Sequence, residues 1–205
     1  KILRFLIVAV AAGLGLALSA KLFNPKGTGN PPPILETVRL LPTARALPGF
    51  TLDSIAAPIT QQSLSGHWTV IFIGFSHCPD ICPTTLTDLA RAQMLWQNSG
   101  LENKPRLLFV SIDPERDNPK ILADYAAYFN KDTLTATAGE PQLSAFTRAI
   151  GLVYMKVPQG DSYTMDHSAT LVVLNPKGQF AGIIRPPLKP DAIARDLLAL
   201  TKAQP

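Results

Sequence analysis

The chain contains two cysteines, Cys78 and Cys82, and one histidine that follows them, His167, and these side chains suit metal binding or redox chemistry. Three residues separate the cysteines within residues 74–83, which read GFSHCPDICP. Two thiolates and an imidazole form a soft three-ligand set that suits copper. A structural zinc site would require a fourth ligand, and the chain has no third cysteine. The two sulfurs could instead act as a dithiol–disulfide redox pair, so both chemistries are candidates.

The cysteine pair lies between a predicted strand and a predicted helix. Residues 68–75 form an apolar run typical of a buried strand, and residues 84–98 have helical periodicity. Pro83 suits the first turn of a helix and disfavours helical geometry in the residue before it, which predicts Cys82 as the N-cap. Cys78 is then expected in the preceding loop. Unpaired N–H groups and the helix dipole favour negative charge there, so we expect a lowered thiol pKa.

The predicted order of elements along the chain is β-α-β-α-(β)-α-β-β-β-α. A βαβ unit followed by a hairpin and a last helix indicates an α/β fold, namely a thioredoxin-like sandwich with an inserted strand and helix. The other strands are predicted at residues 50–52, 57–60, 106–112, 134–137, 152–157, 169–174 and 179–185, and the other helices at residues 118–130, 140–150 and 191–202.

The position of His167 favours a metal site over a general disulfide exchanger. His167 precedes the predicted strand at residues 169–174. Thioredoxin-like proteins carry a cis-proline at the start of the matching strand, facing the sulfurs, and here Ala169 occupies that place. The missing proline weakens the case for disulfide exchange, whereas the added imidazole strengthens the case for a metal. We therefore expect Cys78, Cys82 and His167 to form one ligand set.

The N-terminus is predicted to be a membrane anchor. Residues 5–20 contain no charged residue, and Lys1 and Arg4 precede them. A span needs about 20 apolar residues, with about 17 as the lower limit. We favour an uncleaved transmembrane helix at residues 1–22, with its basic end in the cytoplasm. The alternative is a signal peptide cleaved near Ser19. Either interpretation places the rest of the chain outside the cytoplasm, and the first gives a single-pass protein of the inner membrane with a periplasmic domain.

The segment after the predicted anchor is rich in proline and glycine. Residues 23–47 are therefore interpreted as an extended linker, and residues 48–205 as the folded domain. The formal net charge of +4 is mostly N-terminal, because without Lys1, Arg4 and Lys21 the chain has 16 basic and 15 acidic residues. No stripe of basic and aromatic residues follows, which argues against nucleic acid as a partner.

Three motifs in this order resemble those of the Sco/SenC family, the copper-binding assembly proteins of cytochrome c oxidase. The first motif is residues 74–83, the second is residues 111–117, which read SIDPERD, and the third is residues 166–168, which read DHS. The resemblance extends over roughly residues 48–200. Any one motif alone would be a moderate signal, whereas the three together are specific.

The resemblance implies a thioredoxin-like fold and copper, as Cu(I) or Cu(II), bound by Cys78, Cys82 and His167. It also implies a role at the dinuclear copper centre of cytochrome c oxidase subunit II, either as a membrane-tethered copper chaperone or as a thiol–disulfide oxidoreductase. In the second role Cys78 and Cys82 would be the redox pair that reduces the cysteines of the target. Another copper chaperone is a further candidate partner.

Several other residues are weaker candidates for function. Asp113 and Asp117 resemble an Asp-x3-Asp element of the family, although turn formation and helix capping would also explain them. His77 is a candidate spare ligand, and Asp80, between the sulfurs, is a candidate for steering a partner. Met165 is a candidate axial ligand, but a methionine near a strand more commonly belongs to the core.

Two further functions would use the same fold or the same side chains. A peroxidase of the same fold would require one activated sulfur with supporting polar groups rather than a sulfur pair. A copper or redox signal to a membrane sensor would use the same three side chains, and nothing in the sequence distinguishes it.

Overall fold

The computed structural model describes residues 33–203. The strands are β1 (Arg39–Arg45), β2 (Thr51–Leu52), β3 (Ile59–Thr60), β4 (Thr69–Gly74), β5 (Arg106–Ser111), β6 (Leu134–Ala136), β7 (Tyr154–Gln159), β8 (Ser162–His167), β9 (Leu171–Leu174) and β10 (Phe180–Ile184). They form a six-stranded sheet with strand order β1-β10-β9-β4-β5-β6 and two small two-stranded sheets, β2-β3 and β7-β8. The helices are α1 (Ile81–Gln97), α2 (Pro119–Ala127), α3 (Gln142–Ala149) and α4 (Pro190–Ala203).

The centre of the main sheet is the predicted β-α-β unit. Strands β4 and β5 pair in parallel and are joined through α1, while β9 pairs antiparallel with the other side of β4. All residues of β4 and β9 are buried, as expected for apolar runs covered on both faces. Helices α1 and α4 pack against each other. The carboxyl end of β4 therefore leads directly into the segment that carries the two cysteines.

The predicted linker extends too far along the chain. Strand β1 lies within residues 23–47 and pairs antiparallel with β10 as an edge strand of the main sheet. Its proline, Pro42, is tolerated because the strand is at the edge and its register shifts between Leu40 and Arg45. The segment before β1 is also attached, because the carboxylate of Asp196 accepts the N–H groups of residues 36–38. The folded domain therefore begins before residue 48.

The hairpin formed by β7 and β8 was only half predicted. The predicted strand at residues 152–157 corresponds to β7, but no strand was predicted for β8. Its sequence, SYTMDH, does alternate between polar residues and Tyr163, Met165 and His167, but only Met165 is buried, so the apolar signal of this strand is weak. The hairpin places His167 at the last position of β8, opposite Tyr154.

The predicted anchor at residues 1–22 and the first part of the predicted linker lie outside the described residues. From residue 33 to residue 203, no helix is both long enough and apolar enough to cross a membrane.

Candidate metal centre

The first turn of α1 carries Cys82. The helix begins at Ile81, and its N-cap is Asp80, whose side chain makes no capping hydrogen bond. The prediction of Cys82 as the N-cap was therefore wrong by two positions. Pro83 is accommodated inside the first turn because the N–H group it lacks would have no helical partner there.

Cys82 is fully buried at the end of β4, and Gly74 provides the room for its sulfur. A Cβ atom at Gly74 would lie 2.8 Å from the Cys82 Sγ atom and 3.0 Å from the Phe109 ring. No role was predicted for Gly74. A glycine at the end of a buried strand, just before a cysteine motif, is a signal that another atom approaches the backbone closely.

Cys78 lies at the edge of the same region and is partly exposed. Both cysteines are free, and the backbone N–H of Cys82 is directed at the Sγ atom of Cys78 at 3.4 Å. Cys78 lines a cavity of about 270 Å³ together with His167, Phe75 and Met165.

His167 brings a nitrogen atom to the buried sulfur. Its Nε2 atom lies 3.7 Å from the Sγ atom of Cys82. Its Nδ1 atom contacts the carbonyl oxygen of Ser168 at 3.1 Å, a contact that places the ring proton on Nδ1 and leaves the Nε2 lone pair directed towards the sulfur. Two ligands of one tetrahedral or trigonal ion are separated by roughly 3.6–3.8 Å, from typical zinc–sulfur and zinc–nitrogen bond lengths. The Cys82 Sγ and His167 Nε2 atoms are therefore separated by the distance expected for two ligands of one metal ion, here called ligand spacing.

Aromatic rings restrict the orientation of the imidazole. The rings of Phe72 and Phe75 lie edge-on to His167, with centroid separations of 6.1 Å and 6.4 Å. Burial lowers the pKa of His167, although the Ser168 carbonyl and Asp166 oppose this effect. The imidazole is thus kept neutral, which is the state that a metal requires.

Burial also determines the state of the buried sulfur. Desolvation raises the pKa of Cys82, and the nearby Cys78 and Asp117 add to this effect, while a hydrogen bond with the Phe75 backbone opposes it. The expected lowering of the thiol pKa is therefore wrong for Cys82, because its removal from water outweighs the influence of the helix N-terminus. Cys82 would lose its proton when a metal binds.

The structure brings together two of the three predicted ligands directly. Cys82 and His167 are in contact, and Cys78 lines the cavity into which His167 projects. Across residues 33–203, no three His, Cys, Asp or Glu side chains form a closed ligand group in this conformation. A metal bound by all three predicted ligands would therefore require the side chains to move closer together than they are in this conformation.

The two carboxylates of the second motif are buried and have specific partners. Asp117 accepts hydrogen bonds from the backbone N–H of Ser76 at 2.9 Å, from the Ser76 hydroxyl, and from the Ser111 hydroxyl at 2.5 Å. Asp113 accepts from Arg116 and from the hydroxyl of Tyr163. These contacts link separate parts of the chain, so they exceed the local turn formation that the sequence suggested.

The remaining candidates lie in ordinary environments. The exposed His77 ring contacts the Ser76 hydroxyl and lies 3.8 Å from the carboxylate of Asp117. Asp80 is exposed at the N-cap of α1. Met165 is buried and lines the cavity. Its burial is consistent with a role in core packing, the alternative to an axial ligand.

The fold and these side chains define a class: a thioredoxin-like domain in which a Cys-x3-Cys pair and a distant histidine meet at the end of the central strand. A family model described as SCO1/SenC matches residues 41–202. The chain belongs to the SCO1/SenC family. The match begins inside β1, in agreement with the folded segment that the linker prediction excluded.

Several relatives are similar in sequence. A Stutzerimonas stutzeri protein that is named for copper binding is 37% identical over 164 residues, which cover 78% of this chain and 79% of that protein. The mitochondrial SCO1 homolog 1 of Arabidopsis thaliana is 36% identical over 124 residues, 60% of this chain. This match covers 36% of the Arabidopsis protein, and a match to yeast mitochondrial SCO2 covers 43% of that protein.

Solved structures are similar in fold. Copper-bound ScoI of Arabidopsis thaliana has a TM-score of 0.68 at 29% identity, over 78% of this chain and 99% of that chain. Apo Sco1 of Thermus thermophilus has a TM-score of 0.69 at 30% identity, over 80% and 95% of the two chains. Copper-bound yeast Sco1 has a TM-score of 0.67 at 25% identity, over 77% and 89%. These similarities confirm the predicted thioredoxin-like α/β fold.

Proposed function

We propose that this protein is a copper chaperone that binds one copper ion through Cys78, Cys82 and His167. The observation that carries this proposal is the 3.7 Å separation between the Cys82 sulfur and the His167 Nε2 atom, beside a cavity that Cys78 also lines. Copper is the cargo rather than a resident cofactor. The family supports the choice of metal, since ScoI of Arabidopsis and Sco1 of yeast were solved with copper bound.

The donor set suits a cargo that must later be released. Two sulfurs and a neutral imidazole match the preference of copper for soft and borderline ligands. Cys82 is buried and would hold the ion firmly, whereas Cys78 is at the exposed edge of the cavity. An incoming donor from another protein could therefore replace Cys78 first, and ligand exchange would start from the solvent side.

We further propose that the destination is the dinuclear copper centre of cytochrome c oxidase subunit II. The support is the resemblance of the three motifs to those of the oxidase assembly proteins. A membrane anchor at residues 1–22, with the domain in the periplasm or an equivalent space, would hold the chaperone near such a target. The uncharged run at residues 5–20 supports this placement. Another copper chaperone would be the source of the ion.

The decisive experiment compares His167→Ala with His77→Ala in the purified protein. His77 is an exposed histidine beside Cys78 that contacts Ser76 and Asp117, so it is a matched control. Because loss of an outer-shell partner alone costs about 10–100-fold in metal affinity, loss of His167 itself should weaken Cu(II) binding by at least about 100-fold. The thiolate-to-Cu(II) charge-transfer absorption should disappear, while disulfide formation between Cys78 and Cys82 should persist.

In the His77→Ala control, copper affinity and the charge-transfer absorption should remain close to those of the wild type. Unchanged copper affinity in His167→Ala would reject the proposed ligand role and, with it, the three-ligand site.

A second candidate function is reduction of the target's cysteines. One observation favours it: the partly exposed Cys78 sulfur accepts the N–H of Cys82, while the sulfur of Cys82 is buried. The Cys78 thiolate would attack a disulfide of the target, releasing one target thiolate and forming a mixed disulfide. The Cys82 thiolate would then displace the second target sulfur, so that the Cys78–Cys82 disulfide forms and two electrons pass to the target.

The test of this second function measures the reduction potential of the cysteine pair and its exchange with an oxidised peptide from subunit II. A potential well above those of the periplasmic reductants, together with no detectable exchange, would exclude reduction and leave copper binding as the role. One protein could perform both functions at different times, because copper must leave the two sulfurs before they can take part in disulfide exchange.

A further inference from the structure

One short segment contacts both halves of the proposed copper site. Residues 113–117, here called the 113–117 loop, follow β5 and precede α2. One half of the site is the turn that carries Cys78 together with the first turn of α1. The other half is the β7–β8 hairpin, which carries His167. The two halves lie in different parts of the chain, and the 113–117 loop has polar contacts to each.

Asp117 attaches the loop to the cysteine half. Its side chain is completely buried, and its carboxylate accepts the N–H of Ser76 at 2.9 Å as well as the Ser76 hydroxyl. Ser76 lies two residues before Cys78, so these bonds hold the turn from which the Cys78 sulfur projects. The hydroxyl of Ser111, the last residue of β5, donates a further hydrogen bond to the same carboxylate.

Arg116 attaches the loop to the histidine half. Its Nε atom donates to Asp113 Oδ2 at 2.5 Å, and its Nη1 atom donates to the backbone carbonyl of Tyr163 at 3.2 Å. The guanidinium carbon lies 3.8 Å from the centre of the Tyr163 ring. The Tyr163 hydroxyl completes the cluster by donating to Asp113 Oδ1 at 2.9 Å. Tyr163 belongs to β8, four residues before His167.

The hairpin depends on such side-chain contacts for its orientation. Within residues 33–203, strands β7 and β8 pair only with each other, so ladder hydrogen bonds do not set their angle to the main sheet. The hydroxyl of Tyr154, the first residue of β7, donates a hydrogen bond to Glu140, whereas Arg116 donates a hydrogen bond to the backbone of β8. Arg116 also lies 5.7 Å from the ring of Phe75, which in turn packs edge-on against His167.

The Asp113–Arg116 pair is suited to fixing a geometry rather than merely adding stability. Asp113 is 2% exposed and the Arg116 side chain is 22% exposed, so water competes weakly for their hydrogen bonds. The planar guanidinium has donors in fixed directions and stacks on an aromatic ring, which the ammonium group of a lysine cannot reproduce. Two donors and one ring face therefore define both the distance and the angle of β8.

We infer that Arg116 is a positioning residue for copper binding: together with Asp113 it holds β8 so that His167 stays at ligand spacing from Cys82. The inference rests on the proposed function, because it assigns a role toward the same copper site. It also gives the Asp-x3-Asp element a specific task. Asp117 holds the cysteine half, and Asp113 holds the histidine half both directly at the Tyr163 hydroxyl and through Arg116. The three residues between the two carboxylates set the separation of the halves.

The test begins with Arg116→Met, which keeps much of the side-chain volume and removes every donor. Cu(II) affinity should fall by about 10–100-fold, the loss typical of outer-shell partners of a metal ligand. Glu115→Gln is the matched control: Glu115 lies on the same loop, bonds Lys156 of the same hairpin and lies 3.4 Å from the Tyr163 hydroxyl, but its side chain is 64% exposed and the substitution leaves every contact of Arg116 in place. Its copper affinity should stay within about twofold of the wild type, since exposed ion pairs contribute little.

A second readout does not require copper. In the metal-free protein, nuclear Overhauser contacts should join the His167 imidazole to the rings of Phe72 and Phe75. These contacts should weaken or vanish in Arg116→Met and persist in Glu115→Gln. Thermal unfolding establishes that each variant is folded. If Arg116→Met fails to fold, Asp113→Asn replaces it, because this variant keeps the side-chain size and removes the charge that orients Arg116.

Introducing Arg116→Met into the His167→Ala variant distinguishes an effect of Arg116 through His167 from an effect on another part of the copper site. If Arg116 acts through His167, then Arg116→Met should cause no further loss of copper affinity in a protein that already lacks the imidazole. The same fold-loss in both backgrounds would overturn the inference. Wild-type affinity in Arg116→Met and Asp113→Asn, with a clear loss in His167→Ala, would overturn it as well. If His167→Ala binds copper normally, the proposed function fails, and the nuclear Overhauser contacts still decide whether Arg116 positions His167.

Discussion

Cys82 and His167 are 85 residues apart in the chain, yet the sulfur of one lies 3.7 Å from Nε2 of the other. The first turn of α1 places the cysteine, and the last residue of β8 places the histidine. The first element is a helix that follows the central strand β4, whereas the second is a strand of the separate β7–β8 hairpin. The contact is therefore a product of tertiary packing.

The first prediction concerns Gly74, which makes room for the buried sulfur. In Gly74→Ala, the new methyl group would lie 2.8 Å from Cys82 Sγ in the present arrangement, so the sulfur must move. We expect a loss of stability of about 1–3 kcal/mol, the usual cost of overpacking a core, together with weaker copper binding. Denaturant unfolding and copper titration measure the two effects.

Gly139→Ala is the control for Gly74→Ala, since a Cβ atom at Gly139 would have no neighbour within 4 Å. Its stability should change by less than about 0.5 kcal/mol, as for most surface substitutions. Wild-type stability and copper affinity in Gly74→Ala would show that the sulfur position is not constrained by the strand.

The second prediction concerns the order in which the two sulfurs react. Burial raises the pKa of Cys82 and removes its sulfur from solvent, whereas Cys78 is partly exposed. In the reduced, metal-free protein, iodoacetamide should therefore alkylate Cys78 well before Cys82. Mass spectrometry of peptides from timed samples gives the two rates. In denaturant the difference should disappear, and equal rates in the folded protein would contradict the burial of Cys82.

The third prediction concerns acid stability and the N-terminal edge of the domain. The buried carboxylate of Asp196 accepts the N–H groups of Glu36, Thr37 and Val38. Burial alone would raise the pKa of Asp196, but these hydrogen bonds outweigh it and lower the pKa below the ordinary value of 3.8. The unfolded state then binds the proton more readily. The stabilisation is thus present above about pH 4, the ordinary range for Asp, and is lost as the pH falls through the lower folded-state pKa.

Asp196→Asn should lower the free energy of unfolding at pH 7 by about 1–3 kcal/mol, the cost of leaving buried donors unpaired. Its stability should also fall less steeply between neutral pH and pH 2 than that of the wild type. Asp191→Asn is the matched control on the same helix, because Asp191 forms an exposed ion pair with Arg91. That change should cost less than about 1 kcal/mol, as expected for surface pairs. A similar loss in both variants would show that Asp196 has no special role in holding residues 36–38.

The parts of the fold that the sequence predicted well are those with strong local patterns. The strand at β4 and the helix at α1 follow from an uninterrupted apolar run and a helical period, and both patterns depend only on neighbouring residues. Strands β1 and β8 carry no such pattern. The prolines around β1 suggested a linker, and the mostly polar residues of β8 led to no prediction of a strand. Both strands form because of partners distant in the chain, namely β10 for the first and β7 for the second.

The sequence by itself determined the identity of the chemistry: two sulfurs and one imidazole, their order, and the strand–helix junction that carries the sulfurs. Residue types and local periodicity are sufficient for these conclusions. The tertiary structure alone decided which donors meet, that Cys82 is buried with a raised pKa, and that Asp113 and Asp117 reach opposite halves of the site through Arg116 and Ser76. The desolvation of a side chain and the distance between two donors depend on atoms that come from distant segments of the chain, so neither can be predicted from a local sequence pattern.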